Sequence, residues 1–111
     1  MWQKGITFVK QLYEVTSTGR LSKDFGLRDQ LRRAGVSIPA NIAEGFERSS
    51  RKEYLQCLNV AKGSAGELRC LLRVALEVGY LDENSYKGLR SGAIELSSYL
   101  ANQIKSLRSI G

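Results

Sequence analysis

The segment Leu31-Arg32-Arg33-Ala34-Gly35-Val36-Ser37-Ile38-Pro39-Ala40-Asn41-Ile42-Ala43-Glu44-Gly45-Phe46 constrains this chain more than any other. It has the spacing of a helix, yet it carries a proline in its middle and a polar row beside its apolar row. A proline inside a helix removes one backbone hydrogen bond, crowds the preceding turn and costs about 3 kcal/mol or more. A chain that keeps one must hold the helix through tertiary or quaternary packing. Pro39 also leaves the Gly35 carbonyl without its donor and bends the helix. Gly35, lacking a side chain, is expected to relieve crowding near the ring. The kink either packs within the fold or offers backbone to a partner.

Hydrophobic spacing extends this reading to the whole chain. A first helix is predicted over 2–16, with Trp2, Ile6, Val9 and Tyr13 as one stripe and Phe8, Leu12 and Val15 beside it. Ser17-Thr18-Gly19 ends it, and 21–24 reads as loop. The second helix, 25–47, repeats Leu27, Leu31, Ala34, Ile38, Ile42 and Gly45 at three- and four-residue steps. Ser49 or Ser50 caps the third, over 51–78, with Glu53 in its first turns. Its Leu58, Ala61, Ala65, Leu68, Leu72 and Ala75, led by Tyr54, give an alternating repeat of the kind that forms a helix seam. Gly79 is a stop signal, and Asp82 caps a fourth helix to about Ser109, lined by Tyr86, Leu89, Ala93, Leu96, Leu100 and Leu107. Short links between long amphipathic helices make neighbours antiparallel, so the expected fold is all-α, an up-down-up-down four-helix bundle in a single domain spanning 1–111.

Two features of the helices call for partners. Gln30, Arg33, Ser37, Asn41, Glu44 and Arg48 fall within about 80° of one another at about 100° per residue. A row of this kind beside the core is either a subunit or ligand interface, or a polar ladder within the fold such as Arg33 to Glu67. Gly63-Ser64-Ala65-Gly66 interrupts the third helix, where each glycine costs about 1 kcal/mol relative to alanine. That cost points to a close helix contact, inside the bundle or between subunits. No strand precedes these glycines and no Gly-Lys-Ser/Thr follows, so they are not a phosphate loop.

Composition bounds the chemistry. The chain has no histidine, which removes the commonest general base and a frequent zinc ligand. Ser37, Ser49 and Ser64 lack a histidine to activate them, and Glu44, Glu47, Glu53 and Glu67 sit among arginines or without a metal-binding partner set. No catalytic residue, metal site or cofactor is expected. Cys57 and Cys70 lie about 20 Å apart on one predicted helix, beyond disulfide reach, and are read as reduced, small buried hydrophobes of a cytoplasmic protein. No apolar run is long enough to span a membrane, and the first residues lack the apolar core of a signal peptide. Net charge is +6, from 17 Lys+Arg against 11 Asp+Glu, which favours anionic partners. Arginine clusters at Arg28, Arg32 and Arg33, at Arg48, Arg51 and Lys52, and at Arg69 and Arg73. Lys105 and Arg108 suit the C-terminal end of a helix dipole.

The runs Gly26-Leu27-Arg28-Asp29-Gln30-Leu31-Arg32-Arg33-Ala34 and Val36-Ser37-Ile38-Pro39-Ala40-Asn41-Ile42-Ala43-Glu44-Gly45 resemble the signature of the bacterial ribosomal RNA intervening-sequence proteins. Gly63-Ser64 with Glu67-Leu68, and Gly79-Tyr80-Leu81, resemble that family too. The resemblance covers nearly the whole chain. It implies a four-helix bundle that closes into a homo-oligomeric ring, typically a pentamer. At fold level the chain is also similar to the basic pentameric accessory protein of diversity-generating retroelements, which binds a reverse transcriptase and RNA. The family's recurring polar residues correspond here to Arg33, Asn41, Glu44, Arg48, Glu53 and Glu67. Where the family often carries Phe-Pro in the first loop, this chain has Leu21-Ser22, a departure that bears on loop packing.

Together these readings predict a non-enzymatic homo-oligomer that binds structured RNA or another nucleic acid, RNA or DNA, as an accessory or adaptor. Arg28, Arg32, Arg48, Arg51, Lys52, Arg69 and Arg73 are the expected contacts. Arg33, Ser37, Asn41, Glu44, Glu53 and Glu67 are the expected structural row or subunit interface. The alternative is a scaffold for a protein partner, with the basic charge serving solubility.

Overall fold

In the computed structural model, described over residues 1–109, the chain is all-α and the described residues contain no strand. Helix α1 spans Trp2–Thr16, α2 Phe25–Glu47, α3 Arg51–Glu77 and α4 Glu83–Ser109. Successive helices pack on one another, and α4 packs back on α1. The molecule measures 47 × 20 × 20 Å.

Local chemistry explains the boundaries. The expected first loop is partly ordered as a 3-10 turn, Arg20–Lys23. Leu21 is buried there and anchors the segment. Asp24 then caps α2, its carboxylate accepting from the Leu27 amide at 3.1 Å. Of the two candidate serines, Ser50 caps α3. Its hydroxyl accepts from the Glu53 amide at 3.1 Å and donates to the Glu53 carboxylate at 3.1 Å. Asp82 caps α4 through the Ser85 amide at 2.7 Å. Gly79, at φ 80°, turns the chain out of α3.

The core is built from Leu12 of α1, Leu31, Ile38 and Ile42 of α2, Leu58, Leu68 and Leu72 of α3, and Leu96 and Leu100 of α4. Each such side chain contributes about 1.5–3 kcal/mol on burial. The α3 seam is buried from Leu58 to Ala75, with Tyr54 half-buried at its start. Helix α1 departs from its expected stripe. Its buried row is Gly5, Phe8, Leu12 and Thr16, whereas Trp2, Ile6 and Tyr13 are exposed.

Pro39 is buried within the continuous helix α2 and packs against α1. Gly5 of α1 lies against it, and a Cβ on Gly5 would stand 3.1 Å from the Pro39 Cβ. Gly35 serves a different neighbour from the one expected. A Cβ there would meet Leu12 Cδ2 at 2.5 Å and no proline-ring atom within 4 Å, so the missing side chain makes room for Leu12.

Candidate nucleic-acid interface

The arginines expected to act together lie on different sides of the molecule. Arg28 and Arg32 are half-buried on the α1 side of α2 and bind their own chain. Arg32 donates to the Thr16 hydroxyl and the Ser17 hydroxyl, both at 2.9 Å, and lies 4.4 Å from the Tyr13 ring centre. Arg28 donates to Asp29 at 3.0 Å and to the Ser22 carbonyl at 3.1 Å, with the Phe25 ring 4.8 Å away. These arginines tie α1 and the first loop to α2.

Arg48 sits at the turn between α2 and α3, where it pairs with Glu44 and, at 3.6 Å, with Glu53. The hydrogen bond and charge of Glu44 hold the guanidinium above its ordinary pKa. Asn41 and Ser37 continue this row inward. The Asn41 amide donates to the Ser37 carbonyl at 2.8 Å and to its hydroxyl at 3.0 Å, and the Ser64 hydroxyl on α3 donates to Ser37 at 2.8 Å. Asn41, Glu44, Arg48, Glu53 and Cys57 line a surface cleft of about 240 Å³. The polar ladder therefore exists at its centre and its C-terminal end. Arg33 and Glu67 do not join it: both are exposed, and no ion pair links them among the described residues.

Arg51, Arg69 and Arg73 do converge. On α3 they fall with Lys62 within about 40° of one another at about 100° per residue. Two contacts orient that edge. Ser64 faces α2 from the opposite edge of α3, and Arg73 stands near Tyr86 of α4, which together with Glu77 raises its pKa. On α4, Gly92 packs against Phe8 and Glu95 pairs with Lys4, so one edge faces α1. Arg90, Lys105 and Arg108 lie on the other edge, beside α3.

The result is one exposed basic edge shared by α3 and α4. Its acids, Glu77 and Glu83, stand at one end and are paired with Arg73 and Lys87. The remaining basic residues of the edge make no ion pair among the described residues. Arg51 is placed against local electrostatics, since a cation in the first turn of a helix faces the positive end of its dipole. Lys52 is exposed but lies well away from this edge.

Sequence reasoning missed Lys62 and Arg90 because each is isolated in sequence. Only the register of α3 against α4 brings them together. Lys105 and Arg108 were visible but explained by the dipole alone. One further expectation is narrowed to contacts between copies, and another is corrected. A Cβ on Gly63 or Gly66 would meet nothing within 4 Å, so these glycines serve no close contact within the chain. Of the cysteines, Cys57 is buried but Cys70 is exposed, being turned away from the core face of α3.

No group of three or more His, Cys, Asp or Glu side chains is arranged to hold a metal among the described residues. Nor is any helix among them long and apolar enough to cross a membrane.

Comparison with known proteins adds a family to this geometry. A crystal structure of a Bacteroides thetaiotaomicron protein of unknown function, from the S23 ribosomal protein family, matches with a TM-score of 0.86 at 26% identity. The match covers 94% of this chain and 97% of that one. No curated protein matches. The model of the 23S rRNA-intervening sequence proteins matches residues 1–102, and the chain belongs to that family.

Proposed function

We propose that this protein is a non-enzymatic, cytoplasmic adaptor that binds structured RNA or another nucleic acid as a homo-oligomer. The observation that carries the reading is the exposed edge of α3 and α4, where Arg51, Lys62, Arg69 and Arg90 make no ion pair among the described residues. Unpaired guanidinium groups are suited to phosphate oxygens, which accept their forked donors. Affinity from such contacts is mainly electrostatic and falls steeply with salt.

In this reading the four helices form an antiparallel up-down-up-down bundle, and copies of it close into a ring, a pentamer by resemblance. The exposed apolar residues of α1 and α2 support assembly: Trp2, Ile6 and Tyr13 on α1, with Val36 and Phe46 on α2. Apolar surface of this kind marks an interaction site when it is contiguous. The same surface favours the second reading, a scaffold for another protein, in which the basic charge serves solubility.

A salt series of RNA binding by the purified protein separates the two. The adaptor binds RNA at low salt and loses affinity log-linearly as salt rises. Binding no tighter than that of a neutral control protein at low salt overturns it. Light scattering coupled to size exclusion at low and high salt tests the oligomer, and a monomer at both overturns that part.

A further inference from the structure

We infer that the basic edge of α3 and α4 docks the phosphate backbone of a double-stranded nucleic acid, recognised by charge and shape and not by its bases. The inference rests on the nucleic-acid reading above and narrows it to one surface and one class of ligand.

Shape is the first argument. From Arg51 to Arg73 the edge runs about 33 Å at about 1.5 Å per residue. It follows two long helices packed on one another, in a molecule 47 Å long and 20 Å across. One turn of a B-form DNA duplex is about 34 Å. A stiff straight rod presents phosphates of both strands along such a row, and neither partner has to bend.

The second argument is what the edge lacks. Proteins that hold single strands combine basic grooves with aromatic platforms on which bases stack. Here the exposed aromatics, Trp2, Tyr13, Phe25 and Phe46, all belong to α1 and α2. Tyr86, near the edge, is half-buried and stands near Arg73. A base turned toward this edge finds guanidinium and ammonium groups but no ring to stack on.

Charge distribution is the third. Among the described residues, the carboxylates of the edge are confined to one end and paired there, so the field along the rest of the row keeps one sign. On the α2 side of α3, by contrast, arginine and glutamate alternate in the Glu44, Arg48 and Glu53 cluster and cancel.

The test compares K62E/R90E with K10E/K23E. Both variants change exposed residues and lower net charge equally, but only the first alters the edge. Fluorescence anisotropy follows binding to a blunt RNA duplex, a DNA duplex of equal length, a single strand of the same sequence and phosphatidylserine vesicles, each across a salt series. The edge variant is expected to lose about thirtyfold in duplex affinity, with the log-log salt slope reduced by about 2, and K10E/K23E less than about threefold. K62Q/R90Q should show an intermediate loss, which ties the effect to charge. Duplex RNA and duplex DNA bound alike, or either one preferred, supports the edge and identifies the source of the duplex. Equal losses in the two reversal variants overturn the edge while leaving nucleic-acid binding intact. Single strands bound as tightly as duplexes overturn the duplex assignment. Failure of the wild-type protein to bind any nucleic acid, with or without vesicle binding, overturns both the edge and the reading beneath it.

Discussion

The α1–α2 half and the α3–α4 half of this molecule share one core but present opposite surfaces. In the first, backbones come close: Gly5 admits Pro39, Gly35 admits Leu12, and Arg32 bridges to Thr16 and Ser17. Its exterior carries Trp2, Ile6, Tyr13, Phe25, Val36 and Phe46. In the second, small residues such as Ala61, Ala65, Ala75 and Ala93 fill the core seam, the exposed large apolar side chains are only the valines Val60, Val74 and Val78 among the described residues, and the shared outer edge is cationic. Helix formation asks only for one buried stripe. The outward residues are free of that demand, so their chemistry reports what each half meets. An apolar exterior is stabilised by another protein surface, whereas a cationic one is stable in water and attracts anions.

The strongest test of this contrast removes the apolar exterior. Trp2→Ser with Ile6→Ser and Phe46→Ser should abolish assembly in light scattering, because central aromatic anchors are each worth about 2 kcal/mol or more in an interface. The thermal midpoint of the separated protein should hardly change, as all three side chains are already exposed. An oligomer that survives the triple change would break the assignment of assembly to α1 and α2.

Glycines sharpen the contrast inside each half. Gly5→Val forces a branched side chain against Pro39, whose own helix is held by Ile38 and Ile42 in the core. Overpacking of this kind costs about 1–3 kcal/mol, and each kcal/mol lowers the melting temperature by about 4–8 °C in a chain of this size. The opposite sign is expected at Gly63 and Gly66, which have open space around them. Alanine at either position should stabilise the isolated chain by about 1 kcal/mol through helix propensity. Calorimetry of G63A/G66A reads the sum. If assembly weakens while the chain is stabilised, the glycines serve contact between copies.

These glycines also mark how far sequence alone carries. The α3 seam was legible because its repeat is written in leucine and alanine, residues whose burial and helix preference agree. The α1 core row was not, because Gly5 and Thr16 stand where apolar residues are sought, and the more hydrophobic Trp2, Ile6, Val9 and Tyr13 form a competing stripe. Thr16 is buried because its hydroxyl is satisfied by the Leu12 carbonyl at 2.8 Å and by Arg32, a pairing no local pattern announces. The basic edge needed two helices in register before Lys62 and Arg90 joined Arg69. Clusters read along the sequence instead favoured Arg28 and Arg32, which the fold uses on itself.

The smallest effect concerns Tyr54, at the boundary between the halves. Its ring fills the space over Gly45, where a Cβ would stand 2.6 Å from Tyr54 Cδ1, and tilts against Phe46 at 5.8 Å between ring centres. Burial, with a smaller contribution from Tyr99, raises its phenol pKa above the usual 10.0. The folded chain therefore holds this proton at pH values where the unfolded chain has released it. The unfolded state then binds fewer protons, so stability falls as pH rises. The contribution is intact below the unfolded pKa and is lost as pH climbs from there through the raised folded value. Tyr54→Phe removes the titrating group and keeps the ring over Gly45. Its thermal midpoint should track the wild type up to about pH 9.5 and decline less steeply above it, since a phenol in water titrates near 10. Parallel alkaline declines in the two proteins would place the phenolate in water on unfolding and folding alike, and would leave Tyr54 joining the halves by ring packing alone.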